Sequence, residues 1–203
     1  MIEYQKLAGW FDYEDIYDEW AGRCPEYGDV IIIELGVFCG RSLGYLANKL
    51  IELGKTHVKL VGIDYFSNSV TEEMLVRNNE SLLYRGKPKK VLKNYSKRAV
   101  EKNLSEYPNL TIIKGNTYEE VVKIPADFIW IDADHTYEGV KKDLEAARQS
   151  LKYGGVIGGH DYGVLVEVTQ AFDEFIANRY VENVKVGKGS LGLGNIQFNL
   201  DTI

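Results

Sequence analysis

The sequence predicts an α/β fold: an open, doubly wound sheet, mostly parallel, that ends on an antiparallel strand. Three observations predict it. Short apolar runs alternate with amphipathic helical stretches, the pattern of successive βαβ units. Two of these runs, 128–134 (FIWIDAD) and 154–162 (GGVIGGHDY), flank one helical stretch, and each ends abruptly in ionisable residues. A right-handed βαβ unit opens both strand ends on one edge, so Asp132, His160 and Asp161 can converge there. Finally, the strand-like runs 181–186 and 193–199 lie too close together to be parallel neighbours.

Composition narrows the function. The chain has 203 residues, 45% hydrophobic and 27% charged, which suits one globular domain over 1–203 with residues 1–28 as a helical, aromatic extension. A net charge of −6 argues against general nucleic-acid binding. No apolar run is long enough to span a bilayer, and the start lacks a secretory pattern. Cys24 and Cys39 form no disulfide framework, so a reducing cytoplasm is expected.

The first element is a helix at about 13–22, which Asp12 can cap and whose first turn suits Glu14 and Asp15. Its surroundings are rich in rings: Tyr4, Trp10, Phe11, Tyr13, Tyr17 and Trp20. They read as a helix packed on the domain edge, in preference to a flap over a pocket.

Residues 30–35 (VIIIEL) are the strongest strand, running into the turn 36–42 (GVFCGRS). Leu43, Leu46, Ala47, Leu50 and Ile51 then share one helical face. Gly36 and Gly40 let the backbone approach a ligand, which free N–H groups at the helix start can bond. The dinucleotide pattern GxGxxG is absent, because Phe38 stands at its second glycine. A buried Glu34 needs a partner: a ligand ammonium, a loop it caps, or Arg41.

The next strand, 58–63, ends at Asp64, whose two oxygens match a ribose diol; capping the helix after Ser69 is the alternative. Tyr65 and Phe66 could flank an adenine. After a helix at 71–84, residues 85–98 hold seven basic side chains, Lys89 and Lys90 among them, and no acid. They read as a solvated face or as a dock for an anionic acceptor. The strand 110–114 leads to Asn116 and Thr117, either of which can reach a base edge or cap the short helix at 118–122. Thr136 begins a helix that runs to residue 151. A last helix, 164–178, turns Val168, Ala171, Phe172, Phe175 and Ile176 inward.

The run Glu34-Leu35-Gly36-Val37-Phe38-Cys39-Gly40-Arg41-Ser42 resembles the first motif of class I S-adenosylmethionine methyltransferases, in the catechol and caffeoyl-CoA O-methyltransferase form. Residues 131–140 and 154–162 resemble the paired motifs of methyltransferase family 24. The resemblance covers nearly the whole chain. It implies a Rossmann-like sheet of seven strands with an antiparallel last strand. It implies that Glu34, Gly36, Gly40 and Ser42 hold the methionine part of the cofactor, Asp64 the ribose, and Asn116 and Thr117 the adenine, with Tyr65 and Asp132 beside them. In the metal-dependent relatives an Asp and a later Asp-Asn pair bind a divalent cation. Those positions fall here on Asp132, His160 and Asp161, and the His–Asp pair suits Mn²⁺ or Fe²⁺ better than Mg²⁺.

The expected function is therefore methyl transfer from S-adenosylmethionine to a hydroxyl of a small molecule or sugar. A metal, Mg²⁺ or Mn²⁺, would sit on Asp132 and Asp161, and His135, His160 or Asp161 would serve catalysis. His160 has a second reading, as a packing residue beneath Asp161 if the strand stays extended through it. The partner is a small acceptor, which Lys89 and Lys90 suit if it is anionic, with no nucleic acid or membrane. The oligomeric state stays open, a homo-oligomer included. Two rivals remain, an NAD-dependent dehydrogenase and a non-catalytic binding module.

Overall fold

The structure, a computed structural model, describes residues 1–67, 93, 95–179, 181–188 and 194–200. The expected helix at 71–84, with Lys89 and Lys90, lies outside the described residues. A seven-stranded sheet has the order β3-β2-β1-β4-β5-β7-β6. In chain order the strands are β1 (Ile31–Leu35), β2 (Lys59–Asp64), β3 (Leu110–Lys114), β4 (Ala126–Ile131), β5 (Leu151–Gly159), β6 (Val181–Lys188) and β7 (Gly194–Leu200). The first five are parallel, while β7 runs antiparallel to both β5 and β6. The expected architecture, with its antiparallel close, is the observed one.

Alternation along the strands divides the core into two layers. Ile32, Leu60, Ile112, Phe128, Trp130 and Val156 face α1 (Glu14–Arg23), α2 (Arg41–Glu52) and α3 (Lys97–Asn103). Ile33, Val61, Ile129, Ile131 and Ile157 face α4 (Thr117–Val121), α5 (Tyr137–Ser150) and α6 (Val166–Ala177). A parallel strand covered on both faces is apolar throughout, which is why 30–35 and 126–131 read as continuous hydrophobic runs.

The first layer is aromatic. Tyr13, Tyr17 and Trp20 are completely buried, and their rings meet Trp130 on β4 at centroid distances of 4.4, 5.8 and 5.7 Å. The extension is therefore core rather than edge decoration. Room for it is made at Gly158, where an added Cβ would stand 2.6 Å from Trp130 and 3.1 Å from Trp20.

Asp12 does not cap α1. The N-cap position belongs to Tyr13, with no side-chain bond, and the Asp12 carboxylate is committed elsewhere. Thr136 does cap α5, accepting from the Gly139 amide at 3.2 Å.

Candidate active site

A cleft of about 1120 Å³ opens on the sheet edge where the five parallel strands end. Each exit contributes to its wall: Gly36–Phe38 after β1, Asp64 and Tyr65 at β2, Asn116–Tyr118 after β3, Asp132–Thr136 after β4, and His160 and Asp161 after β5. Ala8, Gly9 and Trp10 of the N-terminal extension complete it, so that segment both fills the core and borders the cleft. This is where open α/β sheets take ligands, beside the point at which strand order reverses between β1 and β4.

The β1 turn is shaped for close approach. Gly36 has φ +90°, and a Cβ there would lie 2.0 Å from the Asp132 carbonyl oxygen. Phe38 takes a left-handed φ of 49°, so the residue standing in place of a glycine adopts a glycine-like backbone. Gly40 starts α2 and packs on Val100 and Leu104; it is not among the residues that line the cleft.

Asp64 organises this turn. One oxygen accepts from the amides of Val37 and Phe38 at 3.0 and 2.8 Å; the other accepts from the Phe66 amide and the Tyr95 hydroxyl at 2.7 and 3.2 Å. Two of the loop amides expected to be free for a ligand are thus held by Asp64. Even with four donors, burial keeps its carboxyl above the ordinary value.

Glu34 lies one layer deeper. It is 1% exposed and does not line the cleft. The Tyr17 hydroxyl donates to one of its oxygens at 2.7 Å and the Ser42 hydroxyl to the other at 2.6 Å. Its expected role as a direct contact for a ligand ammonium is corrected: Glu34 supports the floor on which Ser42 lines the cleft. Burial pushes its carboxyl up to about 8, against those two hydrogen bonds. Arg41 donates through Nη1 to the Gly9 carbonyl at 2.9 Å, tying the extension to α2.

The ionisable cluster sits after β4 and β5. Strand β5 stays extended through Gly159 and the chain turns only at Asp161, with φ +61°. His160 therefore points inward. It is 4% exposed, and its Nε2 lies 3.0 Å from Asp12 Oδ1. Its Nδ1 faces Asp132 Oδ1 at 3.5 Å and Asp161 Oδ1 at 3.4 Å from beneath. His135 approaches the same two carboxylates from the open side, 3.4 Å from Asp132 and 2.9 Å from Asp161, and its side chain is 45% exposed.

Among the described residues, Asp132, His135 and Asp161 form the set whose ligand atoms all lie within 4.8 Å of one another. This corrects the expected ligand set, in which His160 was the imidazole. The physical reason is the strand: extended backbone through residue 159 sends residue 160 to the buried side. His160 borders the cleft, but its two ring nitrogens face Asp12, Asp132 and Asp161, which leaves neither free to serve as a base.

Burial alone would raise Asp132 and Asp161, yet the two histidines outweigh it and hold both carboxyls below the ordinary value. Reciprocally, the hydrogen bonds that His135 donates to Asp132 and Asp161 hold it well above its own. For His160 burial works downward, and the charge of Asp132 with the bonds His160 donates to Asp12, Asp132 and Asp161 reverses it.

Two functional residues escaped sequence reasoning. Asp12, read as a helix cap, is the partner of His160. Asp143, on the inner face of α5, borders the cleft beside Asn116 and Thr117. An acid on the buried stripe of an amphipathic helix was the available signal. Asn116 holds the N-cap position of α4 without a side-chain cap bond, and Thr117 donates to Asp143 Oδ1 at 2.5 Å.

The sequence profile of a family described as a methyltransferase domain, methyltransferase family 24, matches residues 33–162. The chain belongs to that family. No curated protein sequence matches the methyltransferase. Among solved structures it is similar to the O-methyltransferase from Bacillus cereus in complex with SAH, with 18% identity, a TM-score of 0.56, and 84% of this chain and 74% of that one covered. It is also similar to the O-methyltransferase TomG from Streptomyces achromogenes in complex with SAM (14%, 0.61, 93% and 79%). A third similar structure is CalS11, a TDP-rhamnose 3'-O-methyltransferase in calicheamicin biosynthesis (17%, 0.54, 90% and 76%). These likenesses fix the fold, that of class I S-adenosylmethionine-dependent methyltransferases. The family sets aside both rivals, the dehydrogenase and the non-catalytic module.

Proposed function

We propose that the methyltransferase moves the methyl group of S-adenosylmethionine to a hydroxyl oxygen of a small molecule, sugar hydroxyls included, at a site that also holds a divalent cation. The observation that carries this reading is the cleft itself, walled by the exits of all five parallel strands and floored by Gly36 pressed on the Asp132 backbone. A side chain at residue 36 would collide with the Asp132 backbone, so glycine is what lets the exits of β1 and β4 close together at the cleft floor. CalS11 supports the inclusion of sugar acceptors.

S-adenosylmethionine supplies an already activated methyl, which leaves orientation and proton removal to the protein. Ser42 and the Gly36 turn face its amino-acid part, Asp132 its ammonium, Asp64 its ribose beside Tyr65, and Asn116 and Thr117 its base. The cation's donor set is Asp132, His135 and Asp161; two carboxylates with one imidazole suit Mn²⁺ or Fe²⁺ above Mg²⁺. A divalent ion there would lower the pKa of an acceptor hydroxyl. His135, at the open side of the cluster, is held in its protonated form by Asp132 and Asp161, so it can take an acceptor's proton only after giving up its own. His160 holds the two carboxylates in register from beneath.

Among the described residues no helix is long and apolar enough to cross a membrane. A cytoplasmic setting is proposed on the two buried free cysteines.

The test is a thermal-shift titration with S-adenosylhomocysteine, followed by labelled-methyl transfer to nucleotide sugars and phenols with Mn²⁺ or with chelator. The expected result is a rise in Tm, lost in Asp132→Asn, and transfer that chelation abolishes. No shift with S-adenosylhomocysteine overturns the cofactor reading. Transfer that survives exhaustive chelation overturns the metal.

A further inference from the structure

Resting on that cofactor reading, we propose that Asp143 recognises the exocyclic amine of the adenine ring through its Oδ2, the oxygen of its carboxylate that has no partner among the described residues, making it the residue that selects an amino-purine. The two oxygens of this carboxylate differ. Oδ1 accepts from the Thr117 hydroxyl at 2.5 Å. Oδ2 is buried and has no hydrogen-bond partner among the described residues. The residue as a whole is 1% exposed, yet it borders the cleft together with Asn116, Thr117, Gly139 and Lys142. Buried carboxylate oxygens without donors are rare and costly, and one at the wall of a ligand cleft calls for a donor from the ligand.

Topology fixes which part of the ligand arrives there. Asp132 follows β4, Asp64 ends β2, and Asn116 follows β3, with β1 between β4 and β2 in the sheet. A nucleoside whose amino-acid tail lies over β1 and β4 and whose ribose lies at Asp64 directs its base toward β3. Thr117 begins α4 directly after that exit, and its hydroxyl joins it to Asp143. A carboxylate accepts and cannot donate, so the matching group is an N–H. Adenine presents two on its exocyclic amine and none at its other ring edges.

Burial pushes the Asp143 carboxyl up to about 7, against the Thr117 hydrogen bond, with Asp134 the charged group that faces it. An N–H donor favours the ionised form, so preference for the amine should grow as pH rises through that value. A bond that only joins α4 to α5 would hold the helices together without discriminating between bases.

Isothermal titration decides the question with two ligands: S-adenosylhomocysteine and its 6-deamino analogue, in which hydrogen replaces the amine. Wild type should bind the amino form at least tenfold more tightly, with the preference larger at pH 8 than at pH 6. Asp143→Ala and Asp143→Leu should bring the two affinities within about threefold, while Tyr153→Ala, at an exposed residue away from the cleft, keeps the preference. Equal binding of both ligands by wild type overturns the role of Asp143 and leaves the cofactor reading standing. A preference flat from pH 6 to 8, or one retained in either Asp143 variant, overturns it as well. Should wild type bind neither ligand, the cofactor reading falls and this inference with it.

Discussion

Five of the acidic side chains at or beneath one sheet edge have displaced carboxyl values, and they divide into two groups of opposite chemistry. Asp132 and Asp161 are held below the ordinary carboxyl value, whereas Glu34, Asp64 and Asp143 are held above it. Burial does not set the direction, since by itself it would raise all five. Nor does the number of hydrogen bonds, because Asp64 receives four. What separates them is the kind of donor. His135 and His160 bring positive charge to the first pair, while hydroxyls and amides bring only dipoles to the others. Neutral donors satisfy a buried carboxylate without making its ionisation favourable; an imidazolium does both.

The comparison can be broken most forcefully at His160. Replacing it with Leu removes the cation from between Asp12, Asp132 and Asp161 and leaves buried carboxylates facing one another. The expected loss of stability is about 3–5 kcal/mol, read by urea unfolding at pH 7. An unchanged midpoint would mean that the histidine is not charged in the folded protein.

The second group predicts a gain. Glu34 has a folded-state value of about 8 against an ordinary 4.5, so the folded protein holds its proton more tightly than the unfolded chain. Stability should therefore be fully present below 4.5 and fall as pH rises from there to about 8. Glu34→Gln should flatten that decline and be more stable than wild type above pH 8 by about 1–3 kcal/mol. Parallel pH profiles for the two proteins would show that Glu34 is ionised throughout.

The smallest effect sharpens the distinction between dipoles and charge. Tyr17→Phe deletes one of the two neutral donors to Glu34 and should cost about 1 kcal/mol at pH 7. It should also move the pH decline to higher values, since a dipole favouring the carboxylate is gone. A cost as large as that of the His160 variant would contradict the division.

The strands, the two-layered core and the edge that carries the site follow from local patterns, which is why they were legible. Ile32 and Ile33 could be assigned to opposite faces by alternation alone, and Asp64 and Asp132 to strand ends by the abrupt stop of an apolar run. What resisted reading depended on a single dihedral or on a distant partner. His160 and Asp161 exchange roles according to where the chain turns, and nothing local says that a turn will occur at an aspartate with positive φ rather than at the glycines before it. Those glycines are needed for other reasons: a Cβ on Gly159 would meet the Phe172 ring at 2.3 Å. Likewise Asp12 offered every local feature of a helix cap. Only tertiary structure could show that a buried imidazole claims it.

The bond between Asp12 and His160 spans 148 residues. At a synthesis rate of about 5–20 residues per second, roughly 7–30 seconds separate the emergence of its two halves from the ribosome. During that interval Tyr13, Tyr17 and Trp20 have no β5 to lean on, and Asp12 has no imidazole. The segment around Asp12 thus finds its place only after β5 has been made, and the carboxylate–histidine cluster is completed no earlier. A pause or a truncation late in translation would leave an aromatic face uncovered, and that face is what a chaperone attending this chain would meet.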